Sequence, residues 1–306
     1  MIVTVTINPA IDRTVSVDRL AFEDRGYILD HSASAGGRGL LASLVLHSWG
    51  TPTIAIVPSG GDSGPRFEEL IAGFGFPCDV VPVSASIRTN LIITDQQGLT
   101  VKLNERGPVL AGEELARFES AVQGRLWGAT WLLLCGSLPP GVPPDFYRRL
   151  IRMAREQGVK TLLDTDGEAL EQGLRERPTA VTPNLQETSA LLNKALITRQ
   201  HLRAAAQRVL AMGAESVVLS LGARGAVAAQ GEAVFEVTAP RVQAVCPIGA
   251  GDALNAALAW SLNQGHGFAE AVRWGVAAGT ASAKLPGLQF ATLAEAREVY
   301  EAVEVR

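Results

Sequence analysis

The chain has 306 residues, 47% of them hydrophobic, with 27 basic against 31 acidic residues and a net charge of −4. That balance supplies no basic footprint for nucleic acid or for an anionic membrane surface, so positive charge serving an anionic ligand has to be local. No apolar run is long enough to span a bilayer.

Met1-Ile2-Val3-Thr4-Val5 reads as a buried strand from the first residue, so no signal peptide is expected. Cys78, Cys135 and Cys246 lie too far apart for a zinc or disulfide spacing, and His31, His47, His201 and His266 form no metal-ligand pattern. The thiols read as buried, and the expected compartment is the cytoplasm. After the first strand, Thr14–Asp18 and Tyr27–Ser32 alternate like half-buried strands. Ala35-Gly36-Gly37-Arg38-Gly39 opens a helix over Leu40–Trp49, closed by Gly50. Thr53–Val57 is a second buried strand and Gly64–Gly73 a helix.

Leu91–Asp95 and Leu99–Asn104 flank a glycine turn and predict a hairpin, which with the two early strands makes a small separate sheet. Helix 113–124 leads to the apolar strand Trp131–Cys135 and the turn Gly136-Ser137-Leu138-Pro139-Pro140-Gly141. Regular alternation follows: helix 145–157, strand 161–164, short helix 168–173, strand 180–182, helices 185–193 and 199–212, and strand 216–221. Two antiparallel pieces, 225–229 and 233–238, precede helices near 253–263, 268–284 and 293–303. Thr292 and Glu295 have capping-box spacing.

Strands alternating with helices predict an α/β fold whose mostly parallel sheet is covered on both faces, with ligands bound beyond the carboxyl ends of the strands. Asp12, Gly136-Ser137, Asn184, Ser220-Leu221-Gly222 and Gly249-Ala250-Gly251-Asp252 are placed there. The last stretch has two glycines, a helix start and one carboxylate. Glycine lets backbone N–H groups approach an anion, and a helix N-terminus adds unpaired donors. An aspartate there repels phosphate but suits a base that deprotonates a hydroxyl about to attack it. By itself the stretch fits an ordinary strand-to-helix turn equally well, as Asp12 fits a turn cap and Arg88 a solvated residue. No Walker A loop and no dinucleotide fingerprint occurs.

In their order, Asn8-Pro9-Ala10-Ile11-Asp12, Gly36-Gly37-Arg38-Gly39, Arg88-Thr89-Asn90, the Gly136–Gly141 turn, Asn184-Leu185-Gln186-Glu187, Ser220-Leu221-Gly222 and Gly249-Ala250-Gly251-Asp252 resemble the PfkB (ribokinase-like) carbohydrate kinases, in their 1-phosphofructokinase and tagatose-6-phosphate kinase branch. The resemblance implies one three-layer kinase domain over 1–306, with a β-sheet lid from about 12–34 and 88–106. It implies ATP-dependent phosphorylation of fructose 1-phosphate, tagatose 6-phosphate or fructose 6-phosphate. Asp252 would be the base, and the N–H groups of Gly249, Ala250 and Gly251 would hold the transferring phosphoryl group. Asp12, Gly36, Gly37, Arg38 and Asn90 would bind the sugar, with Arg88 and Ser137 on its phosphate. Asn184, Ser220 and Gly222 would line the nucleotide site, and Glu187 with Asn184 would organise Mg²⁺ indirectly. A monovalent cation and a homodimer through the lid are further expectations.

The chain also departs from that branch. Arg38 stands where lysine is usual, Leu41 where asparagine is, Thr182 where lysine is, Pro247 where threonine is and Ala257 where glycine is. Only Arg25 approximates the basic lid residue expected near the sugar phosphate. Because Leu41 and Thr182 remove binding groups, two alternatives stay open: a kinase of an unphosphorylated sugar or nucleoside, and a weakly active binding protein.

Overall fold

Strand β1 (Ile2–Val5) shows why the sheet is covered twice: Val3 and Val5 enter one core and Ile2 the other, all fully buried. Alternate residues of a strand point to opposite faces, so a strand buried at every position needs packing on both. A computed structural model describes residues 1–21 and 24–306.

In chain order the elements continue with β2 (Ala10–Val17), β3 (Ile28–Gly36), α1 (Arg38–Ser48), β4 (Thr53–Gly60), α2 (Gly64–Ala72), β5 (Cys78–Val83), β6 (Arg88–Asp95), β7 (Thr100–Asn104) and α3 (Gly112–Leu126). Next are β8 (Trp131–Cys135), α4 (Phe146–Glu156), β9 (Lys160–Asp164), α5 (Gly167–Leu174), β10 (Ala180–Val181), α6 (Leu185–Leu191), α7 (Arg199–Ala211) and β11 (Ser216–Ser220). The chain closes with β12 (Ala226–Gln230), β13 (Ala233–Thr238), α8 (Ala250–Asn263), α9 (Phe268–Ala283), α10 (Leu293–Glu301) and β14 (Glu304–Val305).

The central sheet has the order β14-β13-β12-β11-β10-β9-β8-β1-β4-β5. Neighbours are parallel from β5 to β11, and β12, β13 and β14 add antiparallel strands at one edge. Phe118, Phe146, Leu150 and Leu202 pack on one face; Trp49, Leu258, Trp260 and Trp274 pack on the other. The result is the three-layer, mostly parallel α/β arrangement expected from the alternation.

Two strands were not legible in the sequence. Strand β5 contains Pro82, which a sheet tolerates at its edge, and it lies at the end of the sheet order. Strand β14 is two residues long and pairs with β13.

A second sheet has the order β3-β2-β6-β7. Strands β2 and β6 run parallel, setting Ala10 beside Arg88 and Asp12 beside Asn90. Strand β3 departs from the half-buried alternation expected of it, because Ile28 through Ser32 are all exposed. It is an edge strand, and Tyr27, Ile28 and Leu29 have no core to enter. The span 12–34 expected for the lid includes Phe22 and Glu23, which lie outside the described residues. Of the thiols only Cys135 is buried; Cys78 and Cys246 are half-buried, and all three are free. Among the described residues no helix is long and apolar enough to cross a membrane.

Candidate active site

Helix α8 begins three residues earlier than its apolar run suggests, so Asp252 sits in its first turn. The preceding Gly249 has φ 82° and ψ −7°, the left-handed region, and a Cβ there would lie 2.8 Å from the Phe290 ring. Both handedness and space therefore demand glycine at this position. Among the described residues no backbone acceptor takes the N–H of Gly249, Gly251 or Asp252, whereas that of Ala250 donates to the Pro247 carbonyl at 3.3 Å. The expected trio of donors is thus reduced: Ala250 is drawn back and its neighbours remain available.

Asp252 is 9% exposed, and its pKa is raised well above 3.8. Burial is the main cause, with Asp164 and Asp12 adding to it and Arg38 opposing. A carboxyl held this way keeps its affinity for a proton, the property a general base needs. It opens into a cavity of about 110 Å³ at the carboxyl ends of β9 and β11, shared with Arg38, Asp164, Thr182, Glu187 and Asn255.

The floor of that cavity is a network the sequence did not announce. Arg38 donates from Nη1 to Asp164 Oδ1 at 3.0 Å and from Nη2 to Glu187 Oε1 at 3.2 Å, with Asp166 3.9 Å away. Asn255 Nδ2 donates to the other Asp164 oxygen at 2.8 Å. Asn184 and Glu187 form a reciprocal capping box: the Asn184 side chain accepts from the Glu187 N–H, and the Asn184 N–H donates to Glu187 Oε2, each at 2.9 Å. Asn184 therefore aims Glu187, and Arg38 is held at the acidic pair. Burial raises the pKa of Asp164 and of Glu187 despite Arg38, while Asp164 heads the causes that raise the pKa of Arg38.

Among the described residues no group of three or more His, Cys, Asp and Glu side chains stands ready for a metal. Mg²⁺ asks for less, because it keeps several waters and binds through one or two carboxylates plus phosphates. Asp164 and Glu187 supply the carboxylates, and Thr182 Oγ1 and Asn255 Oδ1 line the same cavity buried and unpartnered among the described residues. This all-oxygen donor set fits Mg²⁺.

The small sheet carries the other candidate residues, and Asp12 on it is near enough to raise the pKa of Asp252. Asp12 is carried by β2 rather than by the end of a central strand, and Asn90 Nδ2 donates to its Oδ1 at 2.7 Å. Burial raises the Asp12 pKa, against the Asn90 hydrogen bond and the charge of Arg88. Gly36, at the end of β3, is the floor under that carboxylate: a Cβ there would lie 2.0 Å from Asp12 Oδ2. Gly37 follows with φ 141° and leads directly into Arg38 at the start of α1. Leu41 is buried, 5% exposed, on α1.

Gly36→Ala is therefore expected to displace Asp12 and raise the acceptor KM by about 10- to 100-fold, as for a lost charge-assisted hydrogen bond, leaving the KM for ATP unchanged. Steady-state kinetics with both substrates varied checks this, and an unaltered acceptor KM would remove Asp12 from acceptor binding.

Arg88 donates from Nη1 to the Glu105 carbonyl at 2.8 Å and from Nε to that of Pro9 at 3.4 Å; among the described residues nothing accepts from Nη2. Burial and the nearby Arg38 lower its pKa, against Asp12 and Glu105. Asn8 Nδ2 joins this corner to Ser137 Oγ at 3.4 Å and to the Arg106 carbonyl at 3.1 Å. Arg106 thus belongs to this neighbourhood, whereas Arg25 is exposed in the segment before β3. Beyond the Asp252 cavity lies a larger one of about 590 Å³, walled by Ser220, Gly222, Pro240, Val242, Val276 and Gly279 among others. Its size suits a nucleotide, and it shares Asn184, Ser220 and Gly251 with the smaller cavity.

Asp164 and Asn255 are the site residues that the motifs alone did not single out. The signal for Asp164 was present, since it is a lone carboxylate ending the apolar strand β9 at the sheet's ligand-binding edge. Asn255 lies one helical turn after Asp252, inside an alanine-rich run that reads as packing.

Known proteins share this fold. Tagatose-6-phosphate kinase from Staphylococcus epidermidis is 32% identical over 265 residues, covering 86% of this chain and 85% of that protein. Phosphofructokinase-2 from Escherichia coli, solved in complex with potassium, superposes with a TM-score of 0.92 at 30% identity, covering 98% of both chains. A possible 1-phosphofructokinase from Thermotoga maritima superposes with a TM-score of 0.91 at 25% identity over 100% of this chain and 99% of that one. With residues 5–295 matching the pfkB family carbohydrate kinase pattern, the chain belongs to the pfkB family of carbohydrate kinases.

Proposed function

We propose that this kinase transfers the γ-phosphoryl group of ATP to a hydroxyl of a phosphorylated ketohexose: fructose 1-phosphate, tagatose 6-phosphate or fructose 6-phosphate. The observation that carries the reading is buried Asp252 in a cavity that shares residues with a nucleotide-sized one, close enough to Asp12 of the lid to feel its charge, with Arg88 under the charge of Asp12 in turn. The names of the relatives, two of them kinases of hexose phosphates, point the same way.

In this reading Asp252 takes the proton of the acceptor hydroxyl as that oxygen bonds to the γ-phosphorus and the bond to the ADP oxygen breaks. The free N–H groups of Gly249 and Gly251 meet the charge that develops on the phosphoryl oxygens. Asp12, with Asn90 and the Gly36-Gly37 turn, orients the sugar hydroxyls. The Arg88 fork and Ser137 hold the phosphate already on the sugar. Asn184, Ser220 and Gly222 line the nucleotide site. Mg²⁺, which neutralises phosphate charge when bound, would be held by Asp164 and Glu187, with Asn184 setting the Glu187 rotamer. A monovalent cation near the nucleotide belongs to the same reading.

The whole chain acts as one kinase unit whose four-stranded sheet, from about 12–34 and 88–106, closes over the sugar and excludes water. Exposed Tyr27, Ile28, Leu29, Leu99 and Leu103 on that sheet suit a homodimer through the lid, which sedimentation analysis checks. Three free thiols agree with a cytoplasmic location.

The deciding experiment is ADP release with Mg-ATP against the three phosphosugars, their unphosphorylated counterparts and nucleosides. Turnover confined to phosphorylated acceptors is expected. Absence of turnover with every phosphosugar would overturn the reading.

A further inference from the structure

The acidic pair of the small cavity already has a cation on it, and that cation belongs to the protein. All four oxygens of Asp164 and Glu187 receive a donor: Arg38 takes one from each, Asn255 a third and the Asn184 N–H the fourth. Both carboxylates are at least nine-tenths buried, so the guanidinium is their principal counter-charge. Yet the cavity is not neutralised by it. Asp164, Glu187 and Asp166 surround one arginine, and Asn255 Oδ1 stays buried and unpartnered among the described residues. The cavity thus retains both excess negative charge and a free oxygen donor.

We infer that Arg38 and a divalent cation compete for the Asp164–Glu187 pair, so that Arg38 sets the metal affinity of this site. A hard cation seeks the same carboxylate oxygens, and like charges crowded onto them in a poorly hydrated cavity repel strongly. Binding of the ion therefore requires the guanidinium to give up at least one carboxylate. Arg38 is built to do so. It starts helix α1 on a long, flexible side chain that is 35% exposed. Released, it keeps Asp166, 3.9 Å from Nη2, as a partner at the cavity. Arg38 is thus a positioning residue: it holds the two carboxylates ready when no ion is bound and yields to the ion when one arrives.

Only the identity of the physiological ion rests on the kinase reading; the competition is a property of the protein without nucleotide or sugar. The test is accordingly Mn²⁺ alone, titrated into the full-length protein and followed by electron paramagnetic resonance of the free ion. Arg38→Met is expected to tighten Mn²⁺ binding about 10- to 100-fold over wild type, the range by which outer-shell partners shift metal affinity. Arg38→Lys, which keeps the charge without the fork that bridges both carboxylates, is expected to fall between. In Arg38→Met/Glu187→Gln the gain is expected to vanish. Mn²⁺ binding in Arg38→Met equal to or weaker than wild type overturns the inference, as does a gain that persists in the double variant. Should Arg38→Met not fold, as judged by circular dichroism, Arg38→Lys is read by the same criterion. A failure of the kinase reading would appear instead in the acceptor panel and leave the Mn²⁺ titrations untouched.

Discussion

Asp252→Asn is expected to lower turnover by about 10²- to 10⁴-fold, the usual contribution of a positioned general base. It should leave the KM values nearly unchanged, because the amide keeps the shape of the side chain and loses only its basicity. The same substitution should stabilise the protein at neutral pH. Burial, then the charge of Asp164, holds the Asp252 carboxyl well above 3.8 in the folded state. The folded protein therefore retains a proton that the unfolded chain releases more readily. Stability contributed by that proton is fully present below the ordinary carboxylate pKa and is lost as pH rises through the folded value. Removing the ionisation relieves the loss, so the rise in Tm of the Asn variant should grow with pH and disappear in acid. Near-normal turnover in Asp252→Asn would remove the base assignment; a Tm unchanged at every pH would contradict the burial argument. In the wild type the acid limb of the rate profile is expected above 3.8, and it belongs to the coupled carboxyls Asp252, Asp164 and Asp12 together.

The second large effect concerns what the acceptor carries. Arg88→Ala is expected to raise KM for a phosphorylated acceptor by about 10- to 100-fold, the worth of a charge-assisted contact to phosphate. The physical ground is its incomplete pairing. Two of its nitrogens donate to the carbonyls of Pro9 and Glu105, which fixes the plane of the fork, and among the described residues nothing accepts from Nη2. A half-buried cation whose hydrogen bonds go to neutral carbonyls still attracts an anion, even with the charges of Asp12 and Glu105 nearby. For ATP, and for unphosphorylated acceptors, the change should stay within about twofold, because uniform loss would indicate a collapsed lid rather than a lost phosphate contact. Kinetics with matched phosphorylated and unphosphorylated sugars make the comparison, and Arg88→Lys serves as the charge-preserving control. Equal losses on both acceptors would take Arg88 out of phosphate recognition.

Much of this protein could be read along the chain, because the relevant physics is local. Mostly apolar β1 and fully apolar β8 announce strands buried on both faces, and the glycine turn between β6 and β7 announces a hairpin. The Thr292–Glu295 spacing encodes a capping box, which the structure forms. Gly249 declares a backbone conformation that other residues avoid. What folding decided was which distant side chains meet. Arg38 reads as a sugar ligand from its place after two glycines, yet its guanidinium lies on carboxylates more than a hundred residues away. Asp12 reads as the end of a sheet strand, but the register of β2 with β6 places it in the lid beside Asn90. Gly36 matters because of the Asp12 carboxylate above it, and Asp252 acquires its raised pKa from burial and from Asp164. Local propensity and turn chemistry act over a few residues and are written in the sequence itself. Charge pairing, desolvation and close approach depend on distances through space, and those exist only once the two sheets and their helices have packed.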